Sequence, residues 1–340
     1  MDLSDFIAIG ENIHCTRIVK LGGKHTVELP DGGTGVAFRY EDADRVLPIP
    51  ANWAEHSPAF GDGKVKHIAL AVFQALHGTD ADARTGQDYL LYAAGRQIDA
   101  GAGFLDVNVD EYSNDPAERA ETMRWLAEFL SDRFDVPLSI DSSSEETMAA
   151  GLEAARKEAV QTMVNSVSLE REAYVDLIQT FDAVAVVSAA GKEDLPTDVD
   201  GRLANFEKII GLLDAAGMPR ERMHLDPLVF PVSTEPMHGK SFLAATSAAR
   251  DRFEGVRLSG GFSNVSFGMP QRKLLNMVFV WLAAEAGASS GIIDPASMPP
   301  DAIAALDPEA EPFRLAKAFL TGEDMYGMEF LSAHREGKLA

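Results

Sequence analysis

FLDVNVDEYSNDPAERAETMRWLAEFLSDRFDVPLSID, residues 104–141, reads as one strand–helix–strand unit. FLDVNV (104–109) and PLSID (137–141) are short apolar runs without clean alternation, the pattern of parallel strands buried on both faces. Between them Asp115 is placed to cap a helix, with Pro116 in the first helical position. Glu118, three residues on, has capping-box spacing. Met123, Leu126, Phe129 and Leu130 then share one helix face.

The unit recurs in both directions along the chain. Further strand-like runs are FIAIG (6–10), TMVNS (162–166), AVAVVS (183–188), MHLDPLVF (223–230), VRLSGG (256–261) and SGIID (290–294). Ser143 and Glu146 have the spacing of a second capping box before Met148 and Leu152. Pro270 is expected to open a helix striped by Leu274, Leu275, Val278, Phe279 and Leu282, with Gly287 at its end. Eight strands alternating with helices predict an α/β fold, a (β/α)8 TIM barrel, over residues 1–340 as a single domain. The rival is an open doubly wound sheet. It is weakened because neither G-x-G-x-x-G after the first strand nor a Walker A motif occurs.

Residues 18–62 break the alternation. KHTVEL and GVAFRY, separated by PDGGT, predict a β-hairpin, and LPIPANW a Pro-rich loop. The first barrel helix is then expected near Gly63, with Val65, Ile68, Val72, Phe73 and Leu76 on one face, and a second helix over 83–100. An insertion after a strand emerges at the C-terminal face, where barrel enzymes keep their chemistry. A lid, a partner-docking surface and a plain surface decoration all fit it.

Lys+Arg number 30 against 53 Asp+Glu, a net charge of −23, which argues against a nucleic-acid or anionic-membrane partner. The single cysteine, Cys15, rules out an intrachain disulfide and a zinc site built from several thiolates. The opening MDLSDFIAIG has no basic n-region and no long apolar run, so a cytoplasmic protein is expected. None of the eight histidines has a recognisable ligand spacing, and no metal is expected. His67 and His77 read as helix surface or packing residues, and Cys15 as an incidental thiol.

Several strands end in a polar residue that packing would not choose. These are Asp106 and Asn108, Asp141, Asn165, Ser188 and Asp226, with Asn264 after the seventh strand. A lone Asp there is ordinarily a helix cap. As a set, uncompensated carboxylates in one barrel mouth would repel one another and resist desolvation. A ligand rich in N–H donors relieves that cost, and the three amides suit a heterocycle with mixed edges.

At these residues the sequence resembles the pterin-binding barrel of methyltetrahydrofolate:corrinoid methyltransferases, including the folate domain of cobalamin-dependent methionine synthase. The matching strings are IGEN (9–12), DVNVDE (106–111), IDSS (140–143), VNSVS (164–168), LDPLVF (225–230) and SGGFSNVSFG (259–268), in family order. The resemblance implies that Asp141, Asn165 and Asp226 grip the pterin ring, supported by Asp106 and Asn108. It implies that Asn264 sits beside the methylated ring nitrogen as the catalytic amide. Ser188 and Ser166 belong to a candidate proton path. Arg202 and Arg272 match positions near the mouth, where they would meet the folate carboxylates or pair with the acidic surface.

The family opens Gly-Glu-Arg-x-Asn, whereas this chain has Gly10-Glu11-Asn12-Ile13-His14. His14 thereby becomes a candidate proton donor. The related dihydropteroate synthases carry a lysine after the seventh strand and Arg-x-His after the eighth; here stand Asn264 and SGIIDP (290–295). The base-off cobalamin motif Asp-x-His-x-x-Gly is absent. By resemblance, then, 5-methyltetrahydrofolate or tetrahydrofolate is the substrate. Cobalamin comes on a separate corrinoid protein, and the chain forms a homodimer. The setting is a split methionine synthase or a demethylation pathway. A folate-binding scaffold without catalysis is the alternative, and dihydropteroate synthase a less favoured one.

Overall fold

The computed structural model describes residues 1–155 and 161–339. Its strands, in chain order, are β1 (Ile7–His14), β2 (Ala102–Asn108), β3 (Leu138–Asp141), β4 (Met163–Val167), β5 (Val184–Ser188), β6 (Met223–Asp226), β7 (Arg257–Leu258) and β8 (Ser290–Ile293). They form one parallel sheet in the order β7-β6-β5-β4-β3-β2-β1-β8. The two ends of that order join. Ser289 N donates to Leu258 O and Ile292 N to Gly260 O, both at 3.0 Å, and Gly261 bridges Ile292. The fold is the (β/α)8 barrel, with helices between successive strands. Among the described residues no helix is long and apolar enough to cross a membrane.

The chain packs as two compact units, Met1–Gly10 with Ala100–Phe104 and Gln161–Ala340, and Glu11–Asp99 with Leu105–Val160. In the first, Ile9, Phe104, Met163, Val184 and Val186 form a buried cluster with Ile7 and Ile292 against it. Their side chains explain the continuous apolar runs, since each strand buries both faces. His224 on β6 is packing of the same kind. Its Nδ1 lies 2.8 Å from Ser290 Oγ, and burial pushes its pKa down to about 3.

In the second unit the helix Pro116–Ser131 begins where the sequence placed it. Asp115 Oδ1 accepts from Ala117 N at 2.9 Å. The reciprocal half of the box does not form, because Glu118 takes the Ser113 hydroxyl instead. The next helix, Glu145–Ala154, is capped by Ser144, not Ser143. It lies close against β3. A Cβ at Gly151 would stand 2.7 Å from Ile140 Cγ2 and 2.8 Å from Met123 Cγ.

The insertion differs from its expectation in three ways. The hairpin of Thr26–Glu28 and Thr34–Tyr40 forms, but Ala43–Pro48 adds a third antiparallel strand that was not expected and takes in the first two residues of the Pro-rich loop. Pro48 is tolerated as the strand's last residue. Lys64–Lys66 pairs with Ile18–Lys20, so the first barrel helix begins at His67 and not at Gly63. The second runs Asp80–Asp99. β1 itself continues through Asn12 to His14, making the Gly-Glu-Asn segment strand and not loop. Later, β6 stops at Asp226, and the helix expected from Pro270 starts at Arg272.

Candidate functional site

The second unit holds a cluster of three titratable groups drawn from the ends of β1, β2 and β3. His14 Nε2 lies 2.7 Å from Asp106 Oδ2, and Asp106 is fully buried. Ligand atoms of His14, Asp106 and Asp141 all fall within 4.8 Å of one another. Burial pushes the Asp141 carboxyl up to about 7, and Asp106 adds to this; His14 and a hydrogen bond from Asn108 pull against it. Burial alone would lower His14, but the Asp106 and Asp141 carboxylates outweigh it and hold the imidazole above its ordinary value. Asp141 and His14 thus both hold their protons more strongly than they would in water. The same donor set, one imidazole nitrogen and two carboxylates, also has the spacing to hold a divalent cation. Sequence spacing did not reveal it, because the three residues come from different strands.

Asp110 was not singled out in the sequence. Its carboxylate accepts from Ser142 Oγ (2.6 Å), Ser143 N (2.8 Å) and Ser143 Oγ (2.8 Å). It ties the loop after β2 to the loop after β3. The one available signal was the repeated Asp in DVNVDE beside the serines of IDSS. Cys15 is fully buried, and burial pushes its thiol well up, so it is no nucleophile. His67, half-buried, is pushed down to about 4 by desolvation and rests against Tyr89 Oη at 3.0 Å; His77 is exposed.

The first unit holds the other predicted residues. Asp226 ends β6, with Ser188 paired beside it at the end of β5. Asp226 Oδ1 accepts from Leu228 N at 2.8 Å. Burial pushes its carboxyl up to about 6, opposed by the Leu228 and Gly261 amides and by Arg202. Leu228 itself has φ +74°, a left-handed conformation that costs a branched residue energy unless its surroundings hold it. Asn165 is buried in β4 and is joined to Ser166 by a cis peptide. Ser188 Oγ accepts from Ala190 N at 3.2 Å.

Arg202 is placed differently from the expectation. It is fully buried, and its guanidinium donates to Pro196 O (3.3 Å), Ser241 Oγ (2.9 Å) and Leu228 O (3.5 Å). It fixes the loop after β6 through Leu228 O, beside the Asp226 carboxyl. The cationic charge that the sequence suggested for a ligand tail is here a structural clamp.

Asn264 stands exposed on the 3-10 turn Phe262–Ser266. The turn is anchored from below by Phe262, whose ring packs against Phe242 and Phe279 and over Gly291 of β8, where any Cβ would collide with it. Arg272 holds the turn from the side. Its Nη2 donates to Ser263 O at 2.9 Å and its Nε to Ser266 Oγ at 3.1 Å. Asn264 Nδ2 would lie 3.0 Å from a Cβ at Gly261, so a side chain there would press on the amide. The result is an exposed amide on an anchored turn, able to donate or accept.

Solved structures with the same fold include Yersinia pestis dihydropteroate synthase with a pterine–sulfa conjugate, at 24% identity and TM-score 0.51 over 65% of this chain and 87% of that one. Another structure of that synthase, with a sulfonamide drug complex, matches at 17% identity and TM-score 0.54 over 89% and 93%. At these identities the likeness is one of fold. Among curated proteins, a methylcorrinoid:tetrahydrofolate methyltransferase of Eubacterium limosum is 27% identical over 248 residues, 72% of this chain and 86% of the relative. The family model described as pterin binding enzyme matches residues 80–294, more than half of the chain and all of the barrel from its second strand onward. Carboxylates buried and half-buried at strand ends and an exposed amide on the anchored turn after β7 are thus found in a chain that belongs to the pterin-binding enzymes.

Proposed function

We propose that this protein transfers a methyl group between the cobalt of a corrinoid carried by a separate protein and N5 of tetrahydrofolate. The observation that carries the reading is the exposed Asn264 amide on its clamped turn, standing where the related synthases have a lysine. The name of the Eubacterium limosum relative supports it.

In this reading Asp141 and Asp226 accept from the amino and ring N–H groups of the pterin as charge-assisted bonds. Asn165 contributes a mixed donor–acceptor edge, and Asp106 and Asn108 hold Asp141 in place. As the cobalt–carbon bond breaks, its electron pair stays on cobalt, the N5 lone pair takes the methyl group, and the N5 proton departs. In reverse, N5 must be protonated before it can leave. The Asn264 oxygen accepts from the N5–H⁺, and its NH2 donates to the free amine, so one side chain serves both charge states. Ser166 and Ser188 are candidate carriers of the released proton. The insertion 18–62 belongs to the same single domain and emerges from the C-terminal end of β1, on the face where the chemistry occurs. The protein acts in the cytoplasm as a homodimer.

The test is spectroscopic. Protein, 5-methyltetrahydrofolate and cob(I)alamin are mixed, and loss of the cob(I)alamin absorbance with gain of methylcobalamin is followed. Tight folate binding with no change in the cobalt spectrum, with free or protein-borne corrinoid, would favour the scaffold reading instead.

A further inference from the structure

Arg202 is an unfavourable residue for the place it occupies. It is fully buried, and the acceptors its guanidinium reaches, Pro196 O, Ser241 Oγ and Leu228 O, are all neutral. Taking a charge out of water onto neutral acceptors is costly beside burying an apolar side chain of similar volume. Arg202 also lies in the first turn of the helix Val199–Ala215, where the helix dipole disfavours a cation. Neither the core nor the helix explains why an arginine stands there.

Its contacts gather on the loops that follow β5 and β6. Pro196 belongs to the first of these. Ser241 ties that loop to the helix His238–Arg252, since its hydroxyl accepts from Arg202 Nη1 and donates to Thr197 O at 2.5 Å. Leu228 belongs to the second loop, and the guanidinium carbon lies 5.8 Å from the ring centroid of Phe230, two residues on. Leu228 is the strained residue of that loop, at φ +74°. Its carbonyl accepts from Arg202, and its amide donates to Asp226 Oδ1 at 2.8 Å. A change of Leu228 to negative φ would rotate its N–H relative to its C=O and break the alignment of these two bonds. A branched residue keeps such a conformation only where its surroundings hold it, and such residues gather at functional sites.

We propose that Arg202 is a positioning residue for pterin recognition: it holds Leu228 in the left-handed conformation and, through the Leu228 amide, aims the Asp226 carboxylate. The inference rests on the reading above in which Asp226 accepts from the pterin. Charge acts in the same direction as geometry. Asp226 and Asp198 are the carboxylates that act on Arg202, and the buried cation favours the ionised Asp226 that an N–H-donating ligand needs, against the burial that raises it. A lysine at this position would keep the charge but not the planar fork that reaches three acceptors at once. Glycine in place of Leu228 would adopt the left-handed conformation without being held.

The test is the Kd for tetrahydrofolate, read by calorimetry at neutral pH in a double-variant cycle. Arg202→Lys is expected to raise Kd about tenfold or more in the wild-type background. In the Leu228→Gly background the same change should raise it by less than about threefold, because glycine needs no clamp. An arginine that only stabilises the fold would lose affinity equally in both backgrounds, and that result overturns the proposal. So does an Arg202→Lys variant that binds as tightly as wild type. Thermal unfolding midpoints check that each variant folds. If Arg202→Lys does not fold, Ser241→Ala removes one of the three acceptors with the arginine left in place. It is run through the same cycle, with a rise of about threefold expected in the wild-type background and none in the glycine background. Equal effects of Ser241→Ala in the two backgrounds, or no effect in either, overturn the proposal. A wild type that binds no tetrahydrofolate overturns the pterin reading itself, and the role of Arg202 with it.

Discussion

His14, half-buried, pairs with the fully buried Asp106, Nε2 to Oδ2 at 2.7 Å, at the point where the sequence departs from the Gly-Glu-Arg-x-Asn opening it resembles. The imidazole supplies the positive charge that lets two neighbouring carboxylates, Asp106 and Asp141, share one small volume. Removing it leaves Asp106 uncompensated. His14→Ala is expected to lower the free energy of unfolding by about 3 kcal/mol at pH 6.5, measured by urea denaturation. A variant as stable as wild type would show that the pair carries no net charge coupling.

Asp141 holds its proton up to about pH 7 when folded, against an ordinary value of 3.8. Asp226 does so up to about 6, and His14 is raised as well. Between about pH 4 and 7 the folded state therefore binds more protons than the unfolded state. The unliganded protein should lose stability as pH rises through that window. Asp141→Asn removes the largest of these contributions. It is expected to stabilise the unliganded protein by about 2 kcal/mol at pH 8 and to flatten the pH profile, while abolishing folate binding.

Folate binding should release protons for the same reason. A pterin that donates N–H groups to Asp141 and Asp226 needs both carboxylates ionised. Calorimetric titrations at pH 6 in phosphate and in Tris should give enthalpies that differ by the buffers' ionisation heats, with a net release of about one proton. Identical enthalpies in the two buffers would remove the raised carboxyls from the binding event.

Asn264→Ala should slow single-turnover methyl transfer by about 100-fold and leave folate affinity within about threefold. An equal loss in both would make Asn264 a binding group and not a catalytic one.

Arg272 acts through that amide. Its two hydrogen bonds hold the Ser263 carbonyl and the Ser266 hydroxyl, on either side of Asn264. Arg272→Gln is expected to cost about tenfold in rate, and the double variant with Asn264→Ala to be no slower than Asn264→Ala alone. Additive losses would instead give Arg272 a role of its own toward substrate.

The barrel was legible because each strand repeats the same apolar run, and because Asp115 with Pro116 and the terminal Gly287 punctuate the helices between them. The polar strand ends were legible as a set for the complementary reason: a buried strand has no packing use for Asp141 or Asp226. What could not be read is what depends on distance across the fold. The His14–Asp106 pair joins residues 92 positions apart. Asp110 owes its importance to serines contributed by the next strand's loop. Arg202 matched a mouth position by resemblance, which offered a ligand contact or a surface ion pair, and its burial is not visible in a sequence. The third strand of the insertion was hidden because Pro48 suggests a loop, although a strand tolerates proline at its end.

Cys15, sealed behind β2 with its amide on Asn108 O and its thiol shifted away from reactivity, gives the protein a practical property. The only sulfhydryl in the chain is silent toward maleimides and nitroxides in the folded state. A cysteine introduced at any exposed position would be its sole reactive thiol. Spin or fluorescence labels can then be placed one at a time around the Asn264 turn in an otherwise native background, and the approach of a cobalt-bearing partner followed as a paramagnetic or quenching signal.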